Sequence, residues 1–121
     1  MPSREVVDAF IAEVESGRHV EAIELFYTQT ASMQENGAPP RVGRALLMEH
    51  ERRALARSKS VDSRKIGPAM IDGDHVAIRW IFAFTFPDGT VRSMDEIAWQ
   101  RWEGDKIAEE TFFYDPAPMR G

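Results

Sequence analysis

Glu35, Glu96 and His50 are the residues of this chain whose types and placement best suit proton transfer. Two carboxylates in unlike surroundings can divide base and acid roles, because the more buried one keeps its proton near neutral pH. Histidine titrates in that range unaided. Glu96 is placed by a long hairpin, residues 76–102, whose turn is Phe86-Pro87-Asp88-Gly89-Thr90. Proline presets φ for a type I turn, and Gly89 can take the left-handed position that closes a three-residue loop. In that register even positions pair with even positions, so Trp80 lies opposite Glu96. Ile78, Phe82 and Phe84 then share its face with Met94, Ala98, Gln100 and Trp102. A two-residue Asp88-Gly89 loop would shift the pairing by one and set Glu96 with Arg79 instead. Proline directly before Asp-Gly favours the three-residue loop.

Each candidate has a plainer reading. Glu35 equally reads as a solvated residue beside the loop Asn36-Gly37-Ala38-Pro39-Pro40, and Glu96 as an arginine-paired one. His50 shares a helical stripe with Leu47, Ala54 and Leu55, where a hydrogen-bonded core histidine is the ordinary alternative to a catalytic one. His19 and His75 read as surface and turn residues. No histidine spacing suits a metal, and no phosphate loop, nucleophile elbow or Ser-His-Asp order is present. No cofactor is expected. Glu110, Phe112 and Tyr114 alternate on one face of the last strand, and the Tyr114 hydroxyl can donate a hydrogen bond to a ligand oxygen or simply reach water. Trp80, Phe82, Met94 and Ala98 are the expected ligand-contacting residues of the hairpin. Met33, Met48, Met70 and Met94 read as adaptable core or pocket lining.

The elements that must position these groups follow from periodicity. Ser3 caps a first helix whose Val6, Val7, Phe10, Ile11 and Val14 share a face, and Ser16-Gly17 ends it. Val20, Ile23, Phe26 and Tyr27 mark a second, shorter helix; residues 30–35 read as a brief strand; residues 43–58 form a third helix. Everything after Ser60 is strand-like, with Gly67-Pro68 as a bulge and Asp72-Gly73 as a tight turn. Residues 106–114 make the last strand, and Asp115-Pro116-Ala117-Pro118 a terminating tail. The whole is one α+β domain over residues 1–121: three N-terminal helices against a curved antiparallel sheet, with a cone-shaped pocket between the layers.

Composition narrows the function classes. The 121 residues carry 43% hydrophobic side chains, enough for a core without staples, and the absence of cysteine excludes disulfides and thiolate chemistry. A net charge of −5 argues against nucleic-acid binding. The cluster Arg52-Arg53, Arg57 and Lys59 reads as a solvated helix end. No N-terminal apolar run suits a leader or membrane span, so a cytoplasmic location is expected.

Three segments carry a family resemblance: Ala31-Ser32-Met33-Gln34-Glu35-Asn36 with Arg41-Val42-Gly43, the aromatic strand with its turn, and Gln100-Arg101-Trp102-Glu103-Gly104-Asp105-Lys106-Ile107. In order and content the chain resembles the nuclear transport factor 2-like superfamily, in its SnoaL-like and ketosteroid-isomerase-like branch. The resemblance puts Glu35 at the general-base position of the isomerases, and it turns the Glu110, Phe112 and Tyr114 face inward, which adds these three to the expected ligand-contacting set. Their oxyanion hole uses a tyrosine and a protonated aspartate, and those positions here hold Phe10 and Ala98. Steroid isomerisation by that arrangement is therefore not implied. Glu96, one same-face step from Ala98, can take an acid role. The resemblance implies isomerisation, cyclisation, dehydration or water addition on a small, largely apolar, oxygen-bearing molecule, or else a non-catalytic binding or dimerisation module. It also implies a homodimer through the outer sheet face, where Ile81, Ala83, Ile97 and Trp99 would sit.

Overall fold

The fold is described by a computed structural model over residues 1–119. Helix α1 (Arg4–Glu15) starts where the Ser3 hydroxyl accepts the Val6 N–H at 3.1 Å, and it ends at Gly17, whose φ of +88° favours glycine. Its apolar face buries Val7, Phe10, Ile11 and Val14. Phe10 meets Phe26, Tyr27 and Trp102 edge-on, and these rings form the packed end of the core. Helix α2 (His19–Phe26) is short, and the chain turns straight into strand β1 (Tyr27–Glu35). Tyr27 thus opens the strand instead of closing the helix, and its ring is buried. The two-residue strand β2 (Arg41–Val42), which has too few residues to give a sequence signal, precedes helix α3 (Arg44–Ala56). Leu47 is the only buried residue of α3. A helix that buries so little of itself roofs a space; it does not fill one.

Strands β3 (Ser60–Asp72), β4 (His75–Thr85), β5 (Val91–Glu103) and β6 (Lys106–Tyr114) complete a six-stranded sheet in the order β2-β1-β6-β5-β4-β3. The sheet is curved and open. It is antiparallel throughout except where β1 runs parallel to β6, so it is a mixed sheet. Pairing of β3 with β4 shifts between Ile66 and Met70, around Gly67 and Pro68, as expected for a bulge that bends a strand. The β4–β5 turn is the three-residue loop: the Phe86 N–H donates to the Thr90 carbonyl at 2.8 Å and Gly89 has a φ of +89°. Trp80 therefore pairs with Glu96, Phe82 with Met94, and Ile78 with Ala98.

The same register sends odd residues to the outer face. There Arg79 pairs with Asp95 at 2.6 Å and Arg101 with Glu109 at 2.9 Å, so neither arginine reaches the inner carboxylates. Ile97, Trp99 and Phe113 remain 40%, 48% and 51% exposed on this face. No helix is long and apolar enough to cross a membrane. Met70 is exposed, against its expected place in core or pocket, because the β3 bulge turns it outward.

Candidate functional site

Between α3 and the inner sheet face lies a cavity of about 370 Å³. The sheet supplies its floor through strict alternation: Met94 and Glu96 from β5, Trp80, Phe82 and Phe84 from β4, and Glu110, Phe112 and Tyr114 from β6. Helix α3 supplies the roof with His50, Glu51, Ala54 and Leu55. Glu35, His50 and Glu96 thus face one void, from three different elements. Ala98 does not line it. It is wholly buried, paired between Ile78 of β4 and Phe112 of β6.

Glu96 is the exceptional residue. It is 5% exposed, borders the cavity, and makes no hydrogen bond or ion pair among the described residues. Burial, reinforced by the charges of Glu110, Glu35 and Glu51, pushes its carboxyl up to about 8. At neutral pH it is a protonated acid facing an apolar space. Trp80 and Phe82 stack beside it, with ring centroids 5.5 Å apart and 20° between planes.

Glu35 closes β1, where Asn36 turns the chain. The Asn36 N–H donates to the Phe112 carbonyl, and the Asn36 side-chain oxygen accepts the Tyr114 N–H at 3.1 Å. Those two bonds tie the end of β1 to the end of β6 and bring the Glu35 and Tyr114 side chains together. Burial and then the charge and hydrogen bonding of Glu35 push the Tyr114 hydroxyl up to about 12. Glu35 also pairs with Arg41 at 3.4 Å, and both side chains are partly exposed. His50 is held below the usual imidazole range by burial and by the charge of Arg41, so it is neutral at pH 7.

Glu110 belongs to a buried polar chain. The Tyr27 hydroxyl donates to one of its oxygens and the Gln100 amide to the other at 2.6 Å, while the Trp102 indole donates to Gln100 at 2.9 Å. Burial still outweighs those two donors and pushes Glu110 up to about 7.

The family model described as SnoaL-like domain matches residues 7–110. The chain belongs to the SnoaL-like domain family. No curated protein matches the sequence. Among solved structures, the SnoaL-like chain is similar to a protein from Mesorhizobium loti provisionally described as a SnoaL-like polyketide cyclase, with 22% identity, a TM-score of 0.75, and 91% of this chain and 97% of that one covered. A protein of ketosteroid isomerase-like fold from Catenulispora acidiphila, in complex with trimethylamine, gives 20% identity and a TM-score of 0.78, over 93% and 87%. TerC, co-crystallised with polyporic acid, gives 16% identity and a TM-score of 0.79, over 95% and 92%. At these identities the likeness speaks for the fold.

Two residues of the SnoaL-like site escape a sequence reading. His19, expected at the surface, lines the cavity at the start of α2; its Nε2 lies 2.7 Å from the Ser63 hydroxyl and its ring meets Phe82 edge-on. Burial holds it below the usual range and therefore neutral at pH 7. Glu51 lines the roof, and burial followed by the charge of Glu35 raises its carboxyl. Pro116 and Met119, beyond the last strand, also border the cavity, so the segment expected to be a tail is part of the wall. Among the described residues no group of three or more acidic or histidine side chains is arranged to hold a metal ion.

Proposed function

We propose that this SnoaL-like domain binds a small, largely apolar molecule bearing a carbonyl, enol or similar oxygen and moves protons on it. Glu35 is the base, Glu96 the acid, and Tyr114 an orienting donor. The observation that carries the reading is Glu96: a buried, unpaired and protonated carboxyl aimed into an apolar cavity. It donates to the ligand oxygen while Glu35 takes a proton from the adjacent carbon, and the product is an enol. Return of the proton to a different carbon is isomerisation; attack of the enol on a second carbonyl is cyclisation; loss of a β-hydroxyl is dehydration. Glu96 is preferred to His50 as the acid because the neutral imidazole has no proton to spare beyond its N–H. Family membership and the small ligands carried by two solved relatives support a small-molecule site. The exposed apolar residues Ile97, Trp99 and Phe113 support a homodimer paired through the outer sheet face.

Native mass spectrometry of the purified protein, searching for a retained ligand, supplies the substrate, and Glu35→Gln then separates chemistry from binding. The variant keeps size and hydrogen-bonding capacity but loses basicity, so turnover is abolished while affinity changes little. An active Glu35→Gln protein removes Glu35 from the mechanism. Binding without turnover in the wild type across ketones, epoxides and polyphenolic acids favours a binding module.

A further inference from the structure

The acid-lined half of the cavity is unusual in its charge balance. Glu96, Glu110 and Glu51 line it from β5, β6 and α3; Arg41 and Arg57 border the same cavity and the charge of Arg41 acts on Glu51, but no cationic side chain pairs with Glu96 among the described residues. Arg41 is engaged with Glu35 at the rim, Arg57 is exposed at the end of α3, and both histidines are neutral at pH 7. Tyr114 keeps its proton. Buried carboxyls without a counter-charge are costly to ionise, and native proteins rarely hold them except opposite a cation. Within the cavity Glu96 is 5% exposed and has both oxygens free of partners, while Trp80, Phe82, Phe84, Phe112 and Tyr114 make the surrounding wall aromatic. Aromatic rings beside an unpaired carboxyl are the recognition chemistry of an organic ammonium ion, which needs one counter-charge and otherwise apolar, polarisable surroundings. A bare metal ion would lack ligands there.

We propose that the cavity takes a ligand bearing a basic nitrogen, whose ammonium group pairs with the Glu96 carboxylate against the Trp80 and Phe82 rings. This goes beyond the function proposed above and rests on the same protonated Glu96 carboxyl: with a basic ligand its proton goes to nitrogen, in place of the oxygen of a neutral one. A neutral amine takes the proton from the Glu96 carboxyl and forms the ion pair with no net exchange. An amine already protonated in solution displaces that proton to solvent, one per ligand bound.

The test compares N,N-dimethylbenzylamine with benzyl methyl ether, a neutral oxygen-bearing analogue of similar shape, by titration calorimetry between pH 6 and pH 8. Because the amine stays protonated and Glu96 holds its proton up to about 8, amine affinity rises about tenfold per pH unit. Buffers of differing ionisation enthalpy report release of about one proton, and ether affinity does not rise with pH. Glu96→Gln abolishes the slope and the proton release for the amine; the wild-type slope is decisive if that variant does not fold. Amine binding that is flat with pH overturns the proposal. Ether binding without amine binding overturns it and leaves the acid/base reading standing. Binding of neither overturns both.

Discussion

Replacing Glu96 with glutamine removes a titration while keeping shape, and the consequence for stability has a definite sign. The carboxyl is raised from 4.5 to about 8 in the folded chain. Between those values the folded state binds a proton that the unfolded state has lost, so stability falls as pH rises. The contribution is fully present below the unfolded value and is lost as pH climbs through the folded one. Each pH unit within that window is worth up to about 1.4 kcal/mol, which sets a ceiling on the order of 5 kcal/mol for the whole interval. Glu110, with its carboxyl at about 7, titrates in the same direction, and the two share part of the effect. A difference of roughly 2–4 kcal/mol attributable to Glu96 is therefore expected by pH 8.5. Urea denaturation followed by tryptophan fluorescence at pH 5, 6.5, 8 and 8.5 reads it directly, since Trp80 and Trp102 are both buried. Glu96→Gln matches the wild type at pH 5 and exceeds it at pH 8.5, with the gap widening steadily between. A gap that does not change with pH, or a variant less stable than the wild type at pH 8.5, means that Glu96 is ionised and paired. The reasoning from the Trp80–Glu96 register to a protonated acid then fails.

Tyr27→Phe strips one donor from the buried Glu110 carboxyl and leaves that oxygen unpaired; destabilisation of about 1–3 kcal/mol at pH 8 is expected, shrinking toward pH 5 as Glu110 takes its proton, and a pH-independent loss in the same urea titrations argues against an ionised Glu110. Trp99→Glu places a charge at the centre of the exposed apolar strip on the outer sheet face, so sedimentation at micromolar concentration gives a dimer for the wild type and a monomer for the variant; a monomeric wild type removes the dimer. Gly89→Ala forces a side chain onto a φ of +89° with nothing crowding it, so it costs about 1 kcal/mol through backbone strain alone, and thermal denaturation with no loss of midpoint contradicts the turn geometry.

What the sequence makes legible here is what local chemistry decides. Pro87-Asp88-Gly89 selects a turn, the turn selects a register, and the register carries Glu96 to Trp80 without knowledge of any other element. Alternation along β6 likewise puts Glu110, Phe112 and Tyr114 on one face, which the family resemblance turns inward, and Ser3 and Gly17 bracket α1. The parallel pairing of β1 with β6 is not legible, because the partners are separated by about two thirds of the chain and no connecting turn records it. Tyr27 shows the same limit at a boundary. Its helical spacing from Ile23 is real, yet pairing with Ile107 on β6 draws it into the strand, and its hydroxyl then finds Glu110.

The residues missed at the site, His19 and Glu51, both sit on helices, and there the difficulty is geometric. A strand residue has two faces to choose from, and alternation decides between them. A helical residue points in a direction set by the rotation of the helix about its axis, which only packing fixes. Helix α2 has eight residues and α3 buries only Leu47, so neither presents an apolar stripe strong enough to reveal its rotation. His50 was reachable because it continues the stripe of Leu47, Ala54 and Leu55. Glu51, next in sequence, lies off that stripe and would be assigned to solvent by any hydrophobic pattern. It lines the site because α3 roofs a cavity, and a cavity wall tolerates polar groups that a packed core excludes. The weak amphipathicity that hides Glu51 from a sequence reading is thus itself the mark of a helix over a void. In this fold a poorly patterned helix between two well-patterned sheet segments is the place to search for ligand-facing polar residues.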